Sequence, residues 1–91
     1  MIIDPRTTKV YIHKEAVDMR KGHNGLSALV VNHMHKRLLS GSIFLFVSRD
    51  RKTAKALMWD ETGLLVFHKK MERGKIMGFE RLRPLSIILC Q

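Results

Sequence analysis

Ile43-Phe44-Leu45-Phe46-Val47 is apolar at every position. Successive side chains of an extended chain point to opposite faces, so a strand here is apolar on both and needs cover on each side. That makes it a central strand, and whatever else the chain forms must be built around it. Downstream the pattern continues as strand, turn, strand. Arg49-Asp50-Arg51-Lys52 is a polar turn, Ala54 to Trp59 a second strand, and Leu64 to Lys69 its return. Between these two lies Asp60-Glu61-Thr62-Gly63, whose glycine suits the left-handed position of a bulged hairpin. A three-residue loop over Glu61 to Gly63 pairs Asp60 with Leu64 and sets Lys55 opposite Lys69. It also gathers Lys55, Leu57, Trp59, Leu65, Phe67 and Lys69 on one face.

Upstream the period is different. Thr8 to Ile12 alternates polar and apolar, a half-buried strand with Val10 and Ile12 together. Leu26, Leu29, Val30 and Met34 then recur at i, i+3, i+4 and i+8, which predicts an amphipathic helix over about 24–38 with Asn24 as N-cap. Ser40-Gly41-Ser42 ends it. Beyond Gly74, Ile76 to Phe79 reads as an edge strand, Pro84 keeps Arg83 out of helix geometry, and Leu85 to Cys90 is an apolar tail that needs packing against this chain or a partner. The pattern predicts an α+β fold: an antiparallel meander of about four strands with one long helix packed on a face.

The chain is short for what it must bury. Its 91 residues allow one domain, and a domain of this size removes only about 60–65% of the unfolded surface from water. No apolar run approaches the roughly 20 residues of a membrane span, and Asp4-Pro5 interrupts the position of a secretory signal. Cys90 is the single cysteine, which leaves no internal disulfide and no thiolate cluster. These features predict a soluble cytoplasmic protein without a membrane partner.

Charge narrows the function. Lys and Arg number 17 against 8 Asp and Glu, a formal net charge of +9. A pI of about 10.3 lies in the range of nucleic-acid-binding domains. The bases are clustered: Arg49, Arg51, Lys52 and Lys55 in one run, Lys69, Lys70, Arg73 and Lys75 in another. Lys55 opposite Lys69 would repel unless an anion lay between them or their stems splayed into water.

Other motifs have plainer alternatives. Gly22-His23-Asn24-Gly25, next to Lys21, imitates the phosphate-clamping G-x-x-G loop of KH domains, yet the same residues suit a turn that launches the helix. His33 and His35 lie about 200° apart on a helix and cannot share a metal, while His13, His23 and His68 have no ligand spacing. Asp18, Asp60 and Glu72 fall on different elements. They read as a turn cap, a hairpin opener and an ion-pair partner of Arg73 or Lys75, not as the converging carboxylates of a metal-dependent nuclease. Cys90 and the serines have no partnered base. Trp59 serves either as core or as a base-stacking platform. No catalytic, metal or cofactor site is assigned.

The ordered set Asp18-Met19-Arg20-Lys21-Gly22, Gly25-Leu26, Phe44-x-Phe46, Arg49-x-Arg51, Lys55-x-Leu57-x-Trp59-Asp60, Gly63 and Lys69-Lys70-Met71-Glu72-Arg73-Gly74 resembles the Orf2-type TnpB accessory-protein family of bacterial insertion sequences of group sixty-six. That family is unrelated to the RNA-guided nuclease of the same name. The likeness runs from about Val10 to Lys75. It departs from the family where Ile76-Met77-Gly78-Phe79 replaces an aromatic followed by Trp-Pro, and where the tail Leu85 to Gln91 replaces a helical segment. The resemblance implies a protein encoded beside a transposase, needed for transposition and without a recognised active site of its own. Strand-transfer chemistry in DNA recombination is then left to the transposase.

Together these readings predict a non-enzymatic DNA-binding accessory factor. Arg49, Arg51, Lys52, Lys55, Lys69, Lys70 and Arg73 would contact phosphates, with Arg20 and Lys21 beside the helix start. The partners are DNA, the transposase or another element-encoded protein, and a second copy of the chain. The alternatives are an RNA or single-strand binder using the Gly22-to-Gly25 loop, an adaptor for the transposase, and a small metal-dependent nuclease.

Overall fold

The structure, a computed structural model, describes residues 8–76 and the strand 86–90. Its elements are β1 (Lys9–His13), α1 (His23–Asn32), a 3-10 turn (Leu38–Ser40), β2 (Ile43–Val47), β3 (Thr53–Trp59), β4 (Leu64–Lys70) and β5 (Ser86–Cys90). They form one five-stranded sheet in the order β4-β3-β2-β1-β5. The α+β class holds, and the run at Ile43–Val47 is the central strand its two apolar faces require.

The sheet is mixed, which corrects the expected antiparallel meander. β2, β3 and β4 do meander, but β1 runs parallel to both β2 and β5. The reason is α1. A helix that leaves the end of β1 and crosses one face returns the chain to the start of the neighbouring strand, so β1 and β2 run the same way. The apolar tail, through Ser86–Cys90, supplies the fifth strand within this chain.

Leu26 and Val30 on α1, with Met34 just beyond its end, meet Phe44, Phe46 and Leu57 on the sheet, and Val17 closes the cluster. Leu26, Val30, Phe44, Phe46 and Leu57 are fully buried. Val10, Ile12 and Met58 are buried on the other face, Val10 and Ile12 together as the alternation predicts.

The helix is shorter than its periodicity. It is capped by Gly22 rather than Asn24, with no side-chain bond, and ends with His33 as C-cap. The helix ends before Met34, the last position of the apolar period, and His35, at φ 54°, then takes the chain into left-handed geometry. Both His33 and His35 therefore lie beyond the helix proper.

The hairpin register also differs by one residue. Trp59 pairs with Leu64, which leaves Asp60–Gly63 as a four-residue connection closed by the Asp60 amide donating to the Gly63 carbonyl at 3.1 Å. Asp60 Oδ1 accepts from the Thr62 amide, the Thr62 hydroxyl and the Gly63 amide at 3.0, 2.8 and 2.9 Å. That fan of bonds makes the longer loop, and Glu61 at φ 77° takes the left-handed position expected of Gly63. A one-residue slip exchanges faces. Lys55 now opposes His68, not Lys69, and Leu57 and Trp59 share the helix-side face with Leu64 and Val66. Phe67 and Lys69 stand on the opposite face, where Phe67 is 49% exposed. The edge strand expected from Ile76 to Phe79 lies, past Ile76, outside the described residues, as does Arg83-Pro84. Among the described residues no helix is long and apolar enough to cross a membrane.

Candidate nucleic-acid interface

Because β1 and β2 are parallel and β2 to β4 meander, four parts of the chain share one end of the sheet. They are the exit of β1, the start of α1, the β2–β3 turn and the exit of β4. The two basic runs, separate in sequence, meet there. The Met71 amide donates to the Lys52 carbonyl at 2.7 Å and the Ile76 amide to the Arg51 carbonyl at 2.6 Å, which lays segment 71–76 along the β2–β3 turn. Arg51 Nε adds a bond to the Ile76 carbonyl at 2.8 Å. Arg51 also holds φ 62°, a conformation rare outside glycine. Its backbone and guanidinium are thus structural parts of this junction.

The turn is shaped by its own acid. Asp50 Oδ1 accepts from the Ser48 hydroxyl at 2.7 Å and the Lys52 amide at 3.0 Å. Those bonds, the Ser48 hydroxyl foremost, hold its carboxyl below the ordinary value, with nearby Lys52 and Lys75 adding to the effect. Arg49 and Lys52 are left exposed, as are Lys70, Arg73 and Lys75 on the adjoining segment. Glu72 is exposed as well and forms no ion pair with Arg73 or Lys75.

The helix start joins this end through Lys55. Its Nζ donates to the Lys21 carbonyl at 2.8 Å, tying the loop before α1 to β3. A Cβ at Gly25 would lie 3.1 Å from both Cβ and Cγ of Lys21, so the glycine leaves room for the Lys21 stem against the first helical turn. With Gly22 as N-cap and residues 23–25 already helical, the G-x-x-G segment is the launch of α1. Among the described residues no helix precedes it. Arg20 differs from its neighbours. It makes a bidentate ion pair with Asp18, 2.7 Å at its shortest, and Asp18 also accepts from the Arg20 amide at 2.9 Å. The guanidinium's hydrogen bonds lower the Asp18 pKa to about 2. The charge of Arg20 is matched locally.

The expected residues divide accordingly. Arg49, Arg51, Lys52, Lys70 and Arg73 come together, Lys21 and Lys55 adjoin them through the loop, Arg20 is paired, and Lys69 is on the face away from Lys55 and Lys70. Lys75 and Lys14 were absent from the expected set. Lys14 follows β1 and lines a cleft of about 250 Å³ with His13, Glu15, Val47, Arg49 and Arg51. His13 is buried there, its Nδ1–H donating to the Glu15 carbonyl at 2.9 Å. The order strand–helix–strand carried the signal for Lys14, since it implies parallel strands whose exits share one end. Trp59 belongs to the other end, half-buried beside Leu39 and Met58. Among the described residues no three His, Cys, Asp or Glu side chains could hold a metal.

A family model described as "IS66 Orf2 like protein" matches residues 8–81. The chain is also similar to "Uncharacterized protein y4jC" of Sinorhizobium fredii (strain NBRC 101917 / NGR234), 31% identical over 77 residues. That alignment covers 85% of this chain and 66% of y4jC. No solved structure matches. With four fifths of its length inside the family match and the basic junction lying within it, the chain belongs to the IS66 Orf2-like family.

Proposed function

We propose that the protein binds DNA as a transposition accessory and performs no chemistry on it. The supporting observation is the junction of the two basic runs, made by the backbone bonds from Met71 to Lys52 and from Ile76 to Arg51. Exposed bases on one rigid surface neutralise neighbouring phosphates and release their counterions, which is the source of sequence-independent affinity. Lys21, Arg49, Lys52, Lys70, Arg73 and Lys75 are the phosphate contacts in this reading. Arg51 and Lys55 hold the surface together, and Lys69 and Arg20 contribute only to the long-range field.

The test is fluorescence anisotropy with duplex DNA and with single-stranded RNA of the same length, from low to physiological salt. Duplex binding that weakens steeply with salt is expected. No binding at low salt would leave the adaptor role, and a clear preference for RNA would promote the Gly22-to-Gly25 loop. Incubation with magnesium or manganese should leave the duplex intact, and cleavage lost in Glu72→Ala would make the protein an enzyme.

A further inference from the structure

The opposite end of the sheet carries a second basic cleft, of about 380 Å³. Lys9 reaches it from the start of β1, and His35, Lys36 and Arg37 from the segment after α1, beside Tyr11 and Ser40. Among the described residues no Asp or Glu lines it. Lys36 Nζ lies 4.7 Å from the Tyr11 ring centroid. Among the described residues Lys9, His35, Lys36 and Arg37 make no ion pair.

Local structure does not account for this arrangement. Cations near a helix C-terminus complement its dipole within the last turn, but the last turn of α1 carries no base. Lys9 comes from a different element altogether. The reversal after α1 does need a left-handed residue, and glycine or asparagine adopts that conformation with less strain than the histidine found there. His35 holds φ 54° and lines the cleft. Three side chains of one segment and one from β1 thus converge with nothing of opposite charge among them.

We propose that this cleft is a second phosphodiester-binding site, which takes the backbone of a second DNA duplex while the basic junction holds the first. The inference rests on the DNA-binding reading above. The two surfaces lie at the start and the end of β1. A duplex seated across one end, perpendicular to the strands, is too stiff on this scale to bend round to the other. A single protein molecule would therefore link two segments.

Capture of a labelled short duplex by an immobilised one, at increasing protein concentration, tests this directly. Wild-type protein should capture the second duplex. The double variant Lys36→Gln/Arg37→Gln should bind a single duplex within about twofold of wild type. Its capture should fall at least about tenfold, and the salt slope of capture should flatten by about 1.8, or 0.9 per lost contact. Arg37 is exposed, and among the described residues its side chain makes no hydrogen bond. Arg37→Gln alone should therefore lower capture about threefold at an unchanged melting temperature, which separates the site from any folding defect. Wild-type protein that binds one duplex but captures no second would overturn the proposal while leaving the DNA-binding reading intact. So would undiminished capture by the double variant, which would place the second contact in another copy of the chain. Absence of binding to any duplex would refute both.

Discussion

Arg49, Lys52 and Arg73 allow the basic junction to be tested without dismantling it. All three are exposed, and among the described residues none of their side chains forms a hydrogen bond or ion pair. The backbone bonds that close the junction use the Lys52 carbonyl, not its ammonium. Changing all three to glutamine should therefore leave the melting temperature within about 2–4 °C, the scale of a net surface effect of about 0.5 kcal/mol. DNA binding should respond very differently. If each side chain neutralises one phosphate, the log–log slope of affinity against salt loses about 0.9 per contact, or about 2.7 for the three. Between 50 and 200 mM salt that changes the salt-induced loss of affinity by about 40-fold. The assay is anisotropy on one duplex across that salt range, wild type and triple variant side by side. Parallel lines on the log–log plot, whatever their offset, would mean that these residues touch no phosphates. The interface would then lie elsewhere.

Four other outcomes follow from the geometry. Leu57→Ala empties the middle of the core and should cost about 2–5 kcal/mol, a large part of the about 5–15 kcal/mol that holds such a domain folded; urea denaturation reads it. Lys55→Met keeps the stem but loses the bond to the Lys21 carbonyl, worth about 1 kcal/mol or roughly 4–8 °C of melting temperature, and should speed amide exchange in residues 20–22. Asp18, Asp50 and Asp60 have depressed folded values, so their stabilisation is present above the ordinary 3.8 and disappears as pH falls through the folded values, about 2 for Asp18. The melting temperature should be flat from neutral pH to about 4 and drop below it, less steeply in Asp60→Asn. Gly41 holds φ 80°, so Gly41→Ala should destabilise by about 1–2 kcal/mol through backbone strain alone, despite the open space around it.

Much of the fold is readable from local pattern because local pattern is what determines it. The five apolar side chains of Ile43–Val47 cannot face water on either side, and a central strand is the consequence. Parallel pairing of β1 with β2 was also within reach, because a strand followed by a helix followed by a strand returns in the same direction. One more arm of a meander from Thr8–Ile12 would leave no use for residues 14–42, which form the crossover. The hairpin register was less accessible. Three- and four-residue loops are both compatible with Asp60-Glu61-Thr62-Gly63, and the choice follows from three bonds to one carboxylate oxygen and from a glutamate accepting a left-handed backbone.

The interface shows how differently charge and geometry are encoded. Net charge depends on composition alone, so a polyanion partner follows from the residues in any arrangement. Which bases act together depends on pairing register and on contacts distant in sequence. The one-residue slip moves Lys69 away from Lys55. Asp18 balances Arg20 from two positions back. The junction itself exists because two amides, of Met71 and Ile76, find carbonyls on the β2–β3 turn. Conversely, Lys9, Lys36 and Arg37 drew no notice as isolated bases, and they become a cleft because the crossover brings the end of α1 back to the start of β1. The two basic ends are thus products of the same topological choice. A pure meander without the crossover would put the exit of α1 elsewhere, and with it the second cleft.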